Sequence, residues 1–487
     1  MKIAVIGAGF AGLATIKHLK DFGHDVTVYE KVGDVGGVWS ASRTYPGITT
    51  QNGKDTYHLS DYPMPKSYPE WPTGPQVQAY LEDYAEHFGL MPDIRLNTEV
   101  KATRQEPDGR WVVVTENGEE TFDHLVIANG IFSRPAVPSF EGQEAFIASG
   151  GRVCHSSEFL DLSDARGQNV VVIGYGKSSC DVAAAVAEVA SNTTVVAREI
   201  IWKSPRRFMN VLNYKYLLLT RMGEGLFKYI RPKGFEKFLH GVGKPIRNQM
   251  VGTVQGITTR QLKLRKLGLV PEGPFEKIAR STVSLATDGF YDLVAEKRIV
   301  VERDTEIARL ELVDGSRFAV LKNGKKVPAD IIICGTGWHQ EIPFLDPNIK
   351  GRIFDAKGNF RLYNCVKPIG VQNLTFNGYN SSFFSALSAE IGALWTAAYI
   401  GGDISLPSES EQARLTDERL AWMEKRTEGK HARGTNVIPF SMHQIDELLD
   451  DLRLPIPRLQ RFMEWQRPIK PSSYTKIAKR LKQRMGA

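Results

Sequence analysis

Gly7, Gly9 and Gly12 form a G-x-G-x-x-G turn, with Phe10 and Ala11 inside it, directly after the apolar run from Lys2 to Ile6. Each glycine has a physical role. Gly7 permits the tight turn, Gly9 lets the backbone approach a pyrophosphate, and Gly12 lets a helix pack closely on a strand. The start of that helix turns free N–H groups and a favourable dipole toward phosphate. Glu30 lies 18 residues after Gly12, at the end of a second apolar run from Asp25 to Tyr29. A carboxylate there accepts from ribose hydroxyls and repels a 2′-phosphate, so this unit is read as an FAD or NAD site, not an NADP site. Downstream, Val35-Gly36-Gly37-Val38-Trp39 offers a second close backbone approach, with Trp39 as the wall for a planar ligand.

A second unit repeats the pattern with a different charge. Asn169 to Ile173 leads into Gly174-Tyr-Gly176-Lys177-Ser178-Ser179 and then Asp181, and the next run, Asn192 to Ala197, ends at Arg198. Where the first unit has an acid, this one has an arginine, whose planar fork matches phosphate. Lys203, Arg206 and Arg207 add positive charge nearby, and the reading is NADPH. Two nucleotide sites of opposite charge call for a hydride donor and a flavin acceptor. Cys154, Cys180, Cys334 and Cys365 form no C-x-x-C pair, which excludes a disulfide reductase and leaves no framework for a disulfide scaffold or metal site. Molecular oxygen is then the expected final acceptor.

The elements that must position these groups follow from periodicity. Runs of β-branched residues feed each glycine turn, and Leu13, Ile16, Leu19 and Phe22 recur at helical spacing after the first. Trp111–Thr115 and His124–Ala128 read as strands leading to Asn129-Gly130, and Ile331–Cys334 as a strand leading to Gly335-Thr-Gly337-Trp338. Residues 200–285 lack the strand–helix rhythm and read as a helical insertion, 386–400 as a long helix returning to the first domain, and 407–455 as two surface helices. The predicted fold is α/β, with two dinucleotide-binding (Rossmann-like) domains. The first domain spans 1–165 and resumes over 336–455. The second spans 166–335, including the insertion at about 205–285, and 456–487 forms a basic tail.

These motifs together resemble the class B flavoprotein monooxygenases, which include the flavin-containing and the Baeyer–Villiger monooxygenases. The resemblance rests on Gly7–Gly12, Glu30–Trp39, Gly151-x-x-x-His155-x-x-x-Phe159, Gly174–Asp181 and Ile333-Cys-Gly-Thr-Gly-Trp338. Phe159 matches the flavin-containing subfamily, while Ser149 stands where that fingerprint has Phe and Leu160 where it has a basic residue. The resemblance implies FAD and NADPH as cofactors, O2 and a small molecule as substrates, and a C4a-(hydro)peroxyflavin that passes one oxygen atom on. It implies cofactor contacts at Gly7, Gly9, Phe10, Ala11, Gly12, Glu30, Lys31, Gly37, Val38, Trp39, Val100, Asn129, Gly130, Gly337 and Asn380 for the flavin. For the nicotinamide nucleotide it implies Gly174, Gly176, Lys177, Ser178, Ser179, Asp181 and Arg198. His155 is implied to be a linker between domains. In the flavin-containing subfamily an Asn faces the flavin from a loop that here reads Thr50-Gln51-Asn52; Gln51 takes its position with Asn52 beside it, and these two are the catalytic candidates. The same loop opens with Tyr45-Pro46-Gly47, as in the Baeyer–Villiger enzymes, whose later Asp also falls near Gln51. An amide favours oxygenation of an amine nitrogen or a sulfide sulfur; Baeyer–Villiger oxidation of a ketone and NADPH oxidation without oxygen transfer stand as alternatives.

Composition frames these expectations. The chain has 487 residues, 42% hydrophobic and 24% charged, with net charge +7, as befits a globular protein of several domains. The charge is uneven: residues 201–270 carry fifteen Lys and Arg against two acids, Glu224 and Glu236, and residues 467–487 carry seven cations and no acid. With apolar residues interleaved, these segments suggest a peripheral contact with an anionic membrane. No nucleic-acid module is visible, so no nucleic-acid binding is expected. No secretory pattern opens the chain and no apolar run reaches 18 residues, so a cytoplasmic protein is expected, peripheral at a membrane at most. A homodimer is the oligomeric state allowed for.

Overall fold

The computed structural model describes residues 1–280, 284–429, 433–436 and 441–486. Two five-stranded parallel sheets organise it. In the first, the spatial order is Leu374–Phe376, His124–Ile127, Lys2–Ile6, Asp25–Tyr29 and Ile94–Arg95. In the second it is Ile299–Arg303, Asn192–Ala197, Asn169–Ile173, Ile331–Cys334 and Arg152–His155. In both, the strand that feeds the glycine turn is central, so the turn opens at the carboxyl edge of the sheet. The fold class is thus α/β with two Rossmann-like sheets, and the first sheet is discontinuous, since its edge strand Leu374–Phe376 returns after the second is complete. The strand Arg152–His155 belongs to the second sheet and lies ahead of the boundary expected at 165/166.

The helix Ser385–Ile400 has Leu387, Ile391, Leu394 and Trp395 in the core around the second sheet and Ala393 and Ala397 in the core of the first. Mostly apolar, it is buried over nearly its whole length, with Glu390 satisfied by Ser60. Between Asn192–Ala197 and Ile299–Arg303 the insertion runs through short helices, among them Arg221–Gly225 and Phe235–Leu239, and the longer Lys244–Gln261.

Two sequence expectations change here. Of the two helices in 407–455, Glu409–Thr427 lies at the surface with one face buried through Leu420 and Met423, but Met442–Asp451 is not a surface helix: its Met442, Ile445, Leu448 and Leu449 are buried and it packs on Ser385–Ile400. The basic tail is docked as well. Its helix Lys476–Met485 buries Ile477 and Leu481 against the body, so that apolar stripe is spent on intramolecular packing and is closed to a membrane. Among the described residues no helix is long and apolar enough to cross a membrane, and no group of His, Cys, Asp and Glu is arranged to hold a metal.

Candidate functional site

Both glycine turns are pressed against the end of the neighbouring strand. Gly7 has φ +107°, and a Cβ there would lie 2.6 Å from the Ala128 carbonyl oxygen; Gly174 has φ +106°, and a Cβ there would lie 2.7 Å from that of Gly335. A side chain at Gly12 would fall 1.8 Å from the Gly7 carbonyl oxygen, so the first helix packs on its own turn. Glu30 is buried and ties the turn together: its Oε2 accepts from the Ala8 N–H (2.8 Å) and its Oε1 from the Val32 N–H (3.1 Å). Gly37 approaches Gly9, and Trp39 donates its Nε1–H to the Tyr57 hydroxyl at 3.2 Å.

These groups line one cleft of about 810 Å³, within the range of small-molecule sites. Its wall holds Gly7, Gly9, Phe10, Ala11, Glu30, Lys31, Gly37, Val38, Trp39, Val100, Asn129 and Gly130 from the first unit, and Gly176, Lys177, Ser178 and Gly337 from the second. The two turns therefore open onto a common space. Gln51, Asn52 and Asn380 also line it.

Some expected contacts serve as supports instead. Gly12 and Gly174 pack backbone on backbone. Ser179 Oγ lies 3.2 Å from the Gly335 carbonyl oxygen, behind the turn. Asp181 is buried, pairs with the Lys177 ammonium, and accepts from the Thr287 hydroxyl at 2.5 Å. Of the four cations near the end of the second unit, Arg198 is the most exposed: its side chain is 81% exposed, with Glu306 at 3.5 Å, and it stands outside the cleft wall. Lys203 is buried, donates to Ser284 Oγ at 2.8 Å, and has its charged form disfavoured by burial. Arg206 pairs with Asp288 at 2.6 Å and Arg207 with Glu70, so these two fasten the insertion and do not join Arg198.

The amide centre is assembled from distant parts of the chain. Gln51 Oε1 accepts from the Leu285 N–H (2.9 Å), and the Gln51 carbonyl accepts from the Tyr214 hydroxyl (2.9 Å). Asn52 Nδ2 donates to the Phe383 carbonyl at 2.6 Å. Asp55, the carboxylate that follows in the same loop, pairs with Lys215 at 2.8 Å and is not part of the cleft wall. Asn129 is held by Tyr379 and the Glu341 carbonyl. His155 joins strand to loop: Nδ1 accepts from the Ser157 N–H (3.2 Å), so Nε2–H donates to the Gly337 carbonyl (3.1 Å). Burial lowers its pKa, which keeps the ring neutral and this tautomer in place.

The flavin-binding monooxygenase-like family matches residues 1–287. This chain belongs to that family. Human flavin-containing monooxygenase 3 is 27% identical over 441 residues, covering 86% of this chain and 77% of the relative. A 4-hydroxybenzoate brominase (decarboxylating) of Marinomonas mediterranea is 30% identical over 427 residues, with the same coverage. Among solved structures, S-allyl-L-cysteine S-oxygenase from Allium sativum aligns over 99% of this chain and 93% of its own at 20% identity and TM-score 0.62. An oxidised steroid monooxygenase bound to NADP aligns over 93% and 97% at 20% identity and TM-score 0.67. These structural likenesses share the fold.

As a member of this family the chain is a monooxygenase that uses FAD and NADPH. Its residues fit both cofactors. The close Gly9–Gly37 approach would leave room for a pyrophosphate, and the Glu30 carboxylate on the cleft wall would accept from ribose hydroxyls and repel a 2′-phosphate. At the second turn, a Cβ at Gly176 would have no neighbour within 4 Å, and the helix Lys177–Val186 starts there with free N–H groups. Sequence reasoning missed Arg43, whose guanidinium lies 4.8 Å over the Trp338 ring on the cleft wall, and Tyr57, which braces Trp39 and Phe10. Neither sits at a spacing that sets it apart from loop residues.

Proposed function

We propose that this monooxygenase oxygenates a soft nucleophile, an amine nitrogen or a sulfide sulfur, on a small lipophilic molecule. The observation that carries this reading is the neutral amide centre: Gln51, Asn52 and Asn380 line the cleft while Asp55 is turned to Lys215. FAD and NADPH supply the redox chemistry, hydride transfer and activation of O2, when bound. The chain's own residues bind, orient and exclude water. Gln51 is held by its Oε1, which leaves its amide N–H groups as the donors toward a reacting oxygen. A neutral donor stabilises developing charge without adding a proton-transfer step, which suits an electrophilic oxygen meeting a lone pair. The overall balance is substrate, O2, NADPH and H⁺ giving oxygenated substrate, NADP⁺ and water.

The test is product analysis with NADPH and 18O-labelled O2, offering an aryl methyl sulfide, a tertiary amine and a cyclic ketone. Labelled sulfoxide or N-oxide is the expected product. Labelled lactone with no S- or N-product, or hydrogen peroxide alone, overturns the reading.

With the tail docked, a membrane contact passes to the insertion. The insertion exposes Val211 (77%) and Val242 (86%) and carries an excess of Lys and Arg in its sequence, and we infer that it rests on anionic lipid. Sedimentation with phosphatidylserine vesicles but not phosphatidylcholine vesicles, reversed by salt, is expected. Sedimentation with neither, or equally with both, overturns it.

A further inference from the structure

The two acids of residues 201–270, Glu224 and Glu236, both converge on one residue. Glu224 Oε1 lies 2.9 Å from His443 Nδ1, and Glu236 accepts from His443 Nε2 at 2.8 Å. The imidazole stacks on Tyr229 with ring centroids 4.3 Å apart. His443 lies in the first turn of the helix Met442–Asp451, where a cation opposes the helix dipole. Glu224 compensates: its Oε1 also accepts from the Met442 N–H at 2.9 Å, so a side chain from another element caps this helix. Ser441, the residue before the helix, has φ +60°, and its side chain does not cap the helix. With a carboxylate at each nitrogen, His443 is held as a cation, its pKa pushed up to about 10 by the Glu224 and Glu236 charges against the opposing effect of burial.

The same helix start reaches the cofactor cleft. Gln444 Oε1 accepts from Asn380 Nδ2 at 3.1 Å, and the Ser441 hydroxyl donates to Asn380 Oδ1 at 3.3 Å. Asn380 is thus held at both amide atoms by residues flanking His443, and it lines the cleft. The backbone of this helix start thus joins the insertion's contacts at Met442 and His443 to the cleft-wall contacts of Ser441 and Gln444 with Asn380.

We propose that the Glu224–His443–Glu236 clasp positions Asn380 against the bound flavin, which makes His443 a positioning residue for the reaction. This rests on the family's cofactor and not on the substrate class, so the readout is taken without substrate. FAD release from the holoenzyme on dilution, followed by recovered flavin fluorescence, is measured for His443→Gln, Asn380→Ala and the double variant, with thermal unfolding alongside. Each single variant is expected to weaken FAD binding by about tenfold, the scale of a lost hydrogen bond. The double variant is expected to be no weaker than the worse single one, because both act on one path. Losses that multiply in the double variant overturn the proposal, as they would if the clasp served stability alone. If His443→Gln does not fold, Gln444→Met cuts the path one step later; unchanged FAD release in that variant overturns the proposal equally.

Discussion

Lys177 and Asp181 close a buried ion pair one helical turn apart, directly behind the second glycine turn. Lys177 therefore spends its charge on Asp181, and burial holds its pKa below the ordinary lysine value. Replacing Lys177 by Met strands a buried carboxylate whose remaining hydrogen-bond donors among the described residues are the Thr287 and Tyr45 hydroxyls. The expected cost is about 3–5 kcal/mol in urea unfolding. The double replacement Lys177→Met with Asp181→Leu should regain much of it, since no charge is left uncompensated. A Lys177→Met variant as stable as the parent would mean that the pair does not form.

We propose that Arg198 distinguishes the two nicotinamide nucleotides. It ends the strand Asn192–Ala197 with its guanidinium in solvent and only a loose contact to Glu306. One charge-assisted hydrogen bond to a phosphate is worth roughly 1.5–3 kcal/mol. Arg198→Ala should then raise KM for NADPH by about tenfold or more and leave KM for NADH nearly unchanged. Steady-state flavin reduction with each nucleotide checks this; equal effects on both would place the 2′-phosphate elsewhere.

What could be read from the sequence was local. Gly7, Gly12 and Glu30 declare themselves because a turn, a helix and a strand end constrain residues at fixed short spacing. The insertion announced itself by losing that rhythm. What escaped was decided by contacts between distant residues. Nothing near Gln51 in sequence points to Leu285, and nothing near Asn380 points to Gln444. Lys203 and Arg198 look alike as cations after the same strand, yet one is buried beside Ser284 and the other is in water. The strand Arg152–His155 carries no glycine turn of its own, so its place at the edge of the second sheet depends on pairing with Ile331–Cys334.

Gly7 holds the first turn in a conformation that excludes a side chain. Its φ of +107° is strained for any side chain, and a Cβ would sit against the Ala128 carbonyl oxygen. Gly7→Ala is expected to yield colourless protein, with the second domain still able to bind NADP⁺. Absorbance of the purified variant and NADP⁺ titration by calorimetry measure the two parts. A yellow Gly7→Ala protein with the parent's flavin content would show that the turn has room which the backbone denies.

Acid should destabilise the first sheet through His124. It begins the strand His124–Ile127, is fully buried, and places Nε2 3.0 Å from Thr375 Oγ1 on the neighbouring strand. Burial, with the nearby charges of His24 and Lys367, pushes its pKa down to about 3. The folded chain therefore holds it neutral while the unfolded chain protonates it near pH 6.5. Stability from this group is fully present above that value and is lost as pH falls toward 3, where the total approaches roughly 4 kcal/mol. Urea unfolding at pH 7, 5.5 and 4.5 should show stability falling with pH in the parent, and falling less steeply by about one proton's worth, roughly 1.4 kcal/mol per pH unit, in His124→Gln. Flavin release should follow the same curve, because this strand leads into Asn129 and Gly130 on the cleft wall. Equal slopes in parent and variant would mean that another group governs the acid transition.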